Sequence, residues 1–575
     1  MRHPNLGRLR AILAPFAGGV LLASGVYACS SSSTPKSSAR DAGGVPDSAA
    51  TDAGGLYLSE LSVSMMTADG ASVPSLVPAF SPSVHDYYVR CGAGANELNV
   101  SMTASAGANS VLVEPTMSAA KPQQSLSVQV NEADPLVAAA TRGGVSAEYW
   151  VRCLPHDFPV ITLTSHPNAG APPPGYYLVG VAGTSPGRSA YAMALDTNGV
   201  PVWFAAGGDS VSDVDSIQTG VISFRNAPRP FANYALAPPV TTYVTAEGAS
   251  TDEHELQRLP NGHFMVIDSP VVTDFDLTGL TLPTADGGVY AFGARSNIRD
   301  CLVREVDPSG SIVWEWHAVD HFDPVADMTY KYPVGETINS EPLVEPFHCN
   351  SLDIDSLGNV LVSSRHMNAI FYIERATGKV LWKMGGATAS KDNATYVSVA
   401  DTFYCQHDAR FQADWTPTCN GKAGSGRISI FDDESFQAGS ARGVVYQVSI
   451  NGDGCGDAAT SSATVTWQYH GNVSVEAMGS FRVLPEGGAI VGWGTTAGFI
   501  FTETNPQGID LLDVHFDHGN TSYRAIKVPL AQLDLGLLRN AVEGSRTIIF
   551  DAGAKAMPLD SGSDDSGPHD ATSSP

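Results

Sequence analysis

Residues 351–384 read SLDIDSLGNVLVSSRHMNAIFYIERATGKVLWKM. Apolar runs at 351–354, 360–364, 370–374 and 380–384 are separated by turn signals around Leu357-Gly358-Asn359, Met367-Asn368 and Thr377-Gly378. Runs this short, rich in branched and aromatic side chains and bounded by Gly or Asn, read as strands; a helix needs about ten residues or more. Four short strands within about 40 residues are the unit of a β-propeller, one blade of a ring.

A single blade cannot bury both of its faces, so neighbours of similar build are required. They are visible on both sides. Asp196-Thr197-Asn198-Gly199 precedes Trp203, Asp307-Pro308-Ser309-Gly310 precedes Trp314, and Ala376-Thr377-Gly378-Lys379 precedes Trp382. Thr464-Val465-Thr466 runs into Trp467, and Asn505-Pro506-Gln507-Gly508 opens a copy without Trp at 509–514. The tryptophans recur at blade spacing and read as core. Five units are recognisable; a sixth has to come from the irregular stretch 220–250 or from closure of the ring by its ends. The expected fold is all-β, a six-bladed propeller over residues 158–551 preceded by a small β-sandwich over 56–155. In that first domain Leu58, Leu61 and Val63 alternate, Pro78-Ala79-Phe80-Ser81-Pro82 makes a turn, and two similar strands end at Cys91 and Cys153. This pattern resembles the cadherin-like sandwich of bacterial surface proteins, and it carries no chemistry.

The chain has 575 residues with a formal net charge of −27. Such a surface repels phosphate backbones, which excludes nucleic acid as a partner. Arg2, Arg8 and Arg10 precede an apolar run, 11–23, that is too short to span a bilayer. Val26-Tyr27-Ala28-Cys29 then suits either an ordinary signal peptidase or a lipobox with lipidation at Cys29, though Tyr27 is atypical for the latter. Residues 1–29 are therefore expected to be an export signal. Residues 30–55, a Ser/Ala/Asp/Gly tether, and 552–575, rich in Asp, Ser and Pro, cannot bury a core and are expected to be disordered. The expected location is the periplasm or cell surface, with the outer membrane reached only through the lipid.

Eight cysteines lie at 29, 91, 153, 301, 349, 405, 419 and 455, with no CxxC pair to suggest a thiolate zinc site. In an oxidising compartment disulfides are the natural reading, Cys91 with Cys153 within the sandwich and Cys405 with Cys419 around a short loop.

Three histidines occupy one blade position, the start of an inner strand. His254 lies in Thr251-Asp252-Glu253-His254-Glu255-Leu256, and His348 with Asn350 in Phe347-His348-Cys349-Asn350-Ser351. His407 lies in Tyr404-Cys405-Gln406-His407-Asp408-Ala409-Arg410, and Arg365 follows the second strand of the unit at 351–384. A lone histidine in a propeller is more often structural. Three at one position, with an arginine, favour a site.

These motifs, together with Ile428-Ser429-Ile430-Phe431-Asp432-Asp433, Leu259-Pro260-Asn261-Gly262 and Gly492-Trp493-Gly494, resemble the bacterial arylsulfate sulfotransferase family over roughly 160–550. The resemblance implies a six-bladed propeller that moves a sulfuryl group from a phenolic sulfate donor to a phenol acceptor, without the nucleotide donor PAPS, through a sulfohistidine. By position it implies His407 as the residue that becomes sulfated, and His254, His348, Arg365 and Asn350 around the sulfate. It also implies a substrate-contacting threonine at Thr495, or at its neighbour Thr496.

The residue types suit that chemistry. A neutral imidazole attacks sulfur and can leave again, dividing one difficult transfer into two. A guanidinium stays charged and presents a planar fork to sulfate oxygens. Two further imidazoles can manage the phenolic proton. Asp408 either orients His407 or is a strand-end acid. No cofactor is expected, since no Gly-x-x-x-x-Gly-Lys-Ser/Thr loop is present. No metal is expected either, because Arg365 and Asn350 are poor ligands. The competing class is a surface-anchored propeller that binds or scaffolds without turnover, and retention of all four chemistries argues for the enzyme. Oligomeric state stays open, with a homodimer as one option.

Overall fold

The computed structural model describes residues 55–545, apart from 67–71, 75, 183–188, 209, 339–340, 389, 418–423, 436, 438, 452–459 and 518. The expectations for Cys29, the tether, the tail, Cys419 and Cys455 lie outside the described residues.

Two four-stranded sheets form the sandwich. One holds Leu58–Met66, Ser72–Pro74, Ala95–Ala104 and Gln123–Asn131; the other holds Asp86–Arg90, Asn109–Glu114, Pro135–Arg142 and Val145–Leu154. Alternation along Ala95–Ala104 sends Leu98, Val100 and Met102 inward to meet Leu61, Val63, Tyr87 and Val151. Asp86–Arg90 and Val145–Leu154 run parallel with Val89 opposite Cys153, and the Cys91–Cys153 disulfide closes their ends.

Six four-stranded units follow, of which the fourth and fifth are joined through Thr395–Val399 into one nine-stranded sheet and the sixth is extended to five strands by Ile161–Ser165. Blade 1 contains Tyr176–Gly180, Tyr191–Leu195 and Pro201–Ala206, and blade 2 runs from Ser210–Gln218 to Pro239–Val244. Blade 3 contains Leu256–Arg258, Phe264–Asp268, Leu302–Val306 and Ile312–His317; blade 4 is Cys349–Ile354, Val360–Ser364, Ala369–Ile373 and Val380–Gly385. Blade 5 runs from His407–Phe411 to Ser462–His470, and blade 6 from Ser480–Val483 to Asp510–Phe516. The two candidate sources of a sixth blade are both used. Residues 210–244 form blade 2, while Ala525–Val528 returns as the innermost strand of blade 1. Ile161–Ser165 also pairs outside Asp510–Phe516, so the ring is closed twice.

One turn explains the loose sequence repeat. Asp196, Asp307, Asp355 and Asn505 each accept backbone N–H groups two and four residues on. The glycine three residues on takes a positive φ of 72° to 87° in all four copies, a conformation that a side chain would penalise. Trp203 and Trp382 are fully buried, whereas Trp314 and Trp467 are half-buried at the edges of their cores.

Blade 3 and its junction with blade 4 carry an insertion absent from the repeat. Val271–Phe275, Ser296–Arg299, Thr337–Ile338 and Glu341–Val344 form a separate sheet over a core of Leu277, Leu280, Leu282, Phe292, Ile298, Met328 and Val344. Cys301–Cys349, a pairing not read from the sequence, ties blade 3 to blade 4. Near the C-terminus an unforeseen helix, Leu535–Ser545, sets Leu538 and Ala541 into the core of blades 1 and 2.

Candidate active site

The innermost strands of a propeller run side by side around the axis, so their first residues converge at one mouth. His407 is the first residue of blade 5's inner strand, His348 directly precedes that of blade 4, and His254 lies two residues before that of blade 3. His254 and His348 meet edge to face with ring centroids 5.0 Å apart. Asn350 donates from Nδ2 to the carbonyl of Gln406 at 2.7 Å, joining blade 4 to the residue before His407. His254, His348, Asn350, Arg365 and His407 are all buried.

The tautomer of His407 follows from its partners. The Met478 N–H donates to Nε2 at 3.3 Å, so Nε2 holds the lone pair and Nδ1 carries the hydrogen, which Asp433 Oδ2 accepts at 2.6 Å. Burial pushes the Asp433 carboxyl up to about 7, with His407 pulling in the opposite direction. Asp433, not Asp408, thus orients the imidazole. Asp408 faces the axis instead, where Arg482 grips it at 2.7 and 2.8 Å. Burial would raise its pKa, but Arg482, Arg410 and Arg524 hold it well below the usual carboxylate range.

Each remaining histidine also has a carboxylate behind it. His254 Nδ1 meets Asp252, which accepts Ser269 Oγ at 2.8 Å. His348 Nδ1 lies 2.8 Å from Glu345 Oε2, and Glu345 closes the inserted sheet. The insertion therefore braces one of the three imidazoles, that of His348. His366, which the sequence reading left without a role, stacks on His348 at 4.8 Å. Its Nδ1 donates to the Glu345 carbonyl at 2.6 Å, and its Nε2 accepts from Arg365 at 3.1 Å. Arg365 also donates to the Glu476 carbonyl at 2.9 Å and lies over the ring of Tyr330, 5.3 Å from its centroid. Thr495 Oγ1 accepts the N–H groups of Glu476 and Ala477 at 3.1 and 3.2 Å, which fixes the loop that reaches both Arg365 and His407. Gly494 allows that loop to approach, since a Cβ there would stand 2.4 Å from the Ala477 carbonyl oxygen.

His348, Cys405, Asp408 and Met478 all have φ between 47° and 67°. Left-handed backbone at four non-glycine residues around one mouth is strain of the kind that surrounding structure sustains at functional sites. Cys405, expected to bridge Cys419, is instead a free and buried thiol whose pKa burial pushes up to about 11. Glu345, His348 and His366 place potential metal-ligand atoms within 4.8 Å of one another. The cationic guanidinium 3.1 Å from His366 Nε2 opposes a metal there and suits an anion.

Below this mouth the axis is filled with charge. Arg524 NH1 bonds Asp213 at 2.6 Å and Glu255 at 3.0 Å, while Arg410 bridges Glu255 at 2.5 Å and Asp408 at 2.8 Å. Arg524 also donates to the Asn350 carbonyl at 2.7 Å. With Arg482 this hub takes a member from the inner region of every blade. A cavity of about 750 Å³ opens beyond it at the opposite mouth, lined by Asp215, Asp353, Phe411, Trp467 and Arg482 among others. It holds none of the histidines.

Fold and mouth together define a propeller that gathers imidazoles and a guanidinium at one end of its axis. Residues 236–510, which contain every candidate residue named above from His254 to Thr495, match the family described as arylsulfotransferase (ASST). This match supports an arylsulfotransferase-family assignment for that segment of the chain. No curated protein matches the chain significantly. Among solved structures, a protein of unknown function from Bacteroides caccae is 12% identical, with 62% of this chain and 99% of that one covered and a TM-score of 0.33. A quinonprotein alcohol dehydrogenase-like protein from Bacteroides thetaiotaomicron is 8% identical over 78% and 98%, TM-score 0.29. Virginiamycin B lyase from Staphylococcus aureus is 8% identical over 62% and 99%, TM-score 0.27. At these values they bear on neither reaction nor ligand.

Proposed function

We propose that the chain transfers a sulfuryl group from a phenolic sulfate ester to a phenol by a ping-pong route through His407, without PAPS. The observation that carries the reading is the imidazole of His407, held by Asp433 with its lone pair on Nε2 at the histidine-lined mouth. The Nε2 lone pair attacks sulfur, and the N–S bond forms as the S–O bond to the aryl group breaks. The phenolate departs with the bonding electrons and takes a proton from His348 or His254. Asp433 neutralises the cationic sulfoimidazole. The acceptor phenol then yields its proton to the same imidazole, and its oxygen attacks sulfur and frees His407. Arg365, turned by His366 and Glu476, offers its planar guanidinium to sulfate oxygens, and Asn350 and Thr495 complete the surroundings of the substrate.

The two disulfides suit folding in an oxidising compartment, and no helix among the described residues is long and apolar enough to cross a membrane. With lipidation at Cys29, the enzyme would act from the periplasm or cell surface.

Incubation with 4-nitrophenyl sulfate alone is expected to add a sulfuryl group to the peptide containing His407, labile in acid, with release of nitrophenol. His407→Ala should lose both label and transfer. Near-normal turnover in that variant, or a requirement for PAPS, defeats the proposal.

A further inference from the structure

We infer that the outer edge of blade 6 carries a divalent metal site of the zinc class, formed by His166, Asp510 and Asp513. One potential ligand atom from each lies within 4.8 Å of the others. His166 Nε2 stands 2.7 Å from Asp513 Oδ2. The other Asp513 oxygen accepts the Thr502 hydroxyl at 2.7 Å, and Asp510 Oδ1 accepts the Tyr469 hydroxyl at 2.7 Å. Hydroxyl donors on two different strands therefore hold the carboxylates in place, one of them from blade 5. Burial, reinforced by Asp510, raises the Tyr469 pKa, so its hydroxyl remains a donor.

Among the described residues, no Lys or Arg lies at ion-pair distance from Asp510 or Asp513; the imidazole of His166 is the one basic group that does. Two carboxylates converging on one imidazole carry uncompensated negative charge, which a divalent cation would neutralise. Two oxygens and one imidazole nitrogen are the three-ligand set that leaves zinc an open position for water. All three side chains are half-buried, so that position faces solvent. Hydroxyls bonded to the ligating carboxylates are the outer partners that metal ligands require. An imidazole in so small a set disfavours calcium, which prefers six to eight oxygens.

Placement gives the site a purpose. His166 directly follows Ile161–Ser165, the strand that starts the ring, while both aspartates lie on Asp510–Phe516, the partner strand near its end. A cation here clasps the outer closure of the propeller and is lost on unfolding, so its binding free energy adds to stability. The inference is independent of sulfuryl transfer.

The test uses the full chain, stripped with chelator and dialysed. Zinc binding is read by equilibrium dialysis with elemental analysis, and stability by thermal unfolding with and without zinc. One equivalent of zinc is expected, with Tm raised by about 3 °C at roughly 100-fold excess over the dissociation constant. Asp513→Asn and His166→Ala should each weaken binding at least about tenfold and remove the Tm shift. His366→Ala, in the other cluster, should leave zinc binding and the shift intact. The assignment is overturned by an absence of stoichiometric zinc, by its retention in both edge variants, by loss only in His366→Ala, or by preference for calcium.

Discussion

At the residue scale, Asp433 is the informative side chain. On the proposed route its carboxylate supports positive charge on His407, so transfer should rise as pH climbs through about 7, where Asp433 ionises. Asp433→Asn should cost on the order of 10²-fold or more in kcat and flatten that rise, measured as a pH profile of nitrophenol release. Stability should move the other way. A carboxyl raised from 3.8 to about 7 on folding contributes stability that is fully present below the lower value and lost as pH passes the upper one. Asp433→Asn should therefore gain on wild type in urea midpoint as pH increases, and a constant difference would count against the assignment. His254, His348, Asn350, Arg365 and His407 were legible because each sits at a blade position that the turn pattern defines. Asp433 was not. It lies beside Asp432, and only the strand pairing shows that Asp432 turns to Arg442 at 2.9 Å while Asp433 turns to His407. Glu345 was hidden for a different reason: it belongs to the insertion, which follows no repeat.

At the element scale, the blades were read from turn chemistry, and their edges agree to within about two residues in the unit at 351–384. What the sequence did not reveal is how the two domains are joined. Asp86 of the sandwich accepts Arg152 at 3.0 Å and takes Arg539 of the C-terminal helix through both oxygens at 3.0 and 2.5 Å. Arg152 donates onward to the Val202 carbonyl of blade 1 at 3.0 Å. Burial would raise the Asp86 pKa, yet Arg152 and Arg539 bring it below the ordinary value. Three elements distant in sequence share one carboxylate, which no periodicity announces. Asp86→Ala leaves two guanidiniums, one of them wholly buried, without their counter-charge, and should lower unfolding stability by about 3–5 kcal/mol in urea titration. Donor turnover by the folded fraction should hold, because no candidate catalytic residue lies in the sandwich. A silent Asp86→Ala would show that the junction rests on its apolar contacts alone.

At the scale of the whole molecule, the ring is held at its rim by two returning strands and on its axis by the hub of Arg410, Arg482, Arg524, Asp213, Glu255 and Asp408. Arg524→Met should leave Asp213 buried without its guanidinium and Glu255 with Arg410 alone, and cost about 3–5 kcal/mol, seen as one cooperative loss in thermal unfolding rather than release of a single blade. The hub has a second consequence, for traffic. Its charges, with Arg410, Arg524, Asp213, Glu255 and Asp408 all buried, stop the axial channel between the two mouths. The histidine pocket is therefore a cul-de-sac: a phenol set free inside it must back out through the opening that the next phenol enters. On the proposed route donor and acceptor queue for one doorway, so excess acceptor should inhibit competitively against donor in initial-rate measurements. Acceptor that never slows the donor half-reaction would mean that a second way in exists.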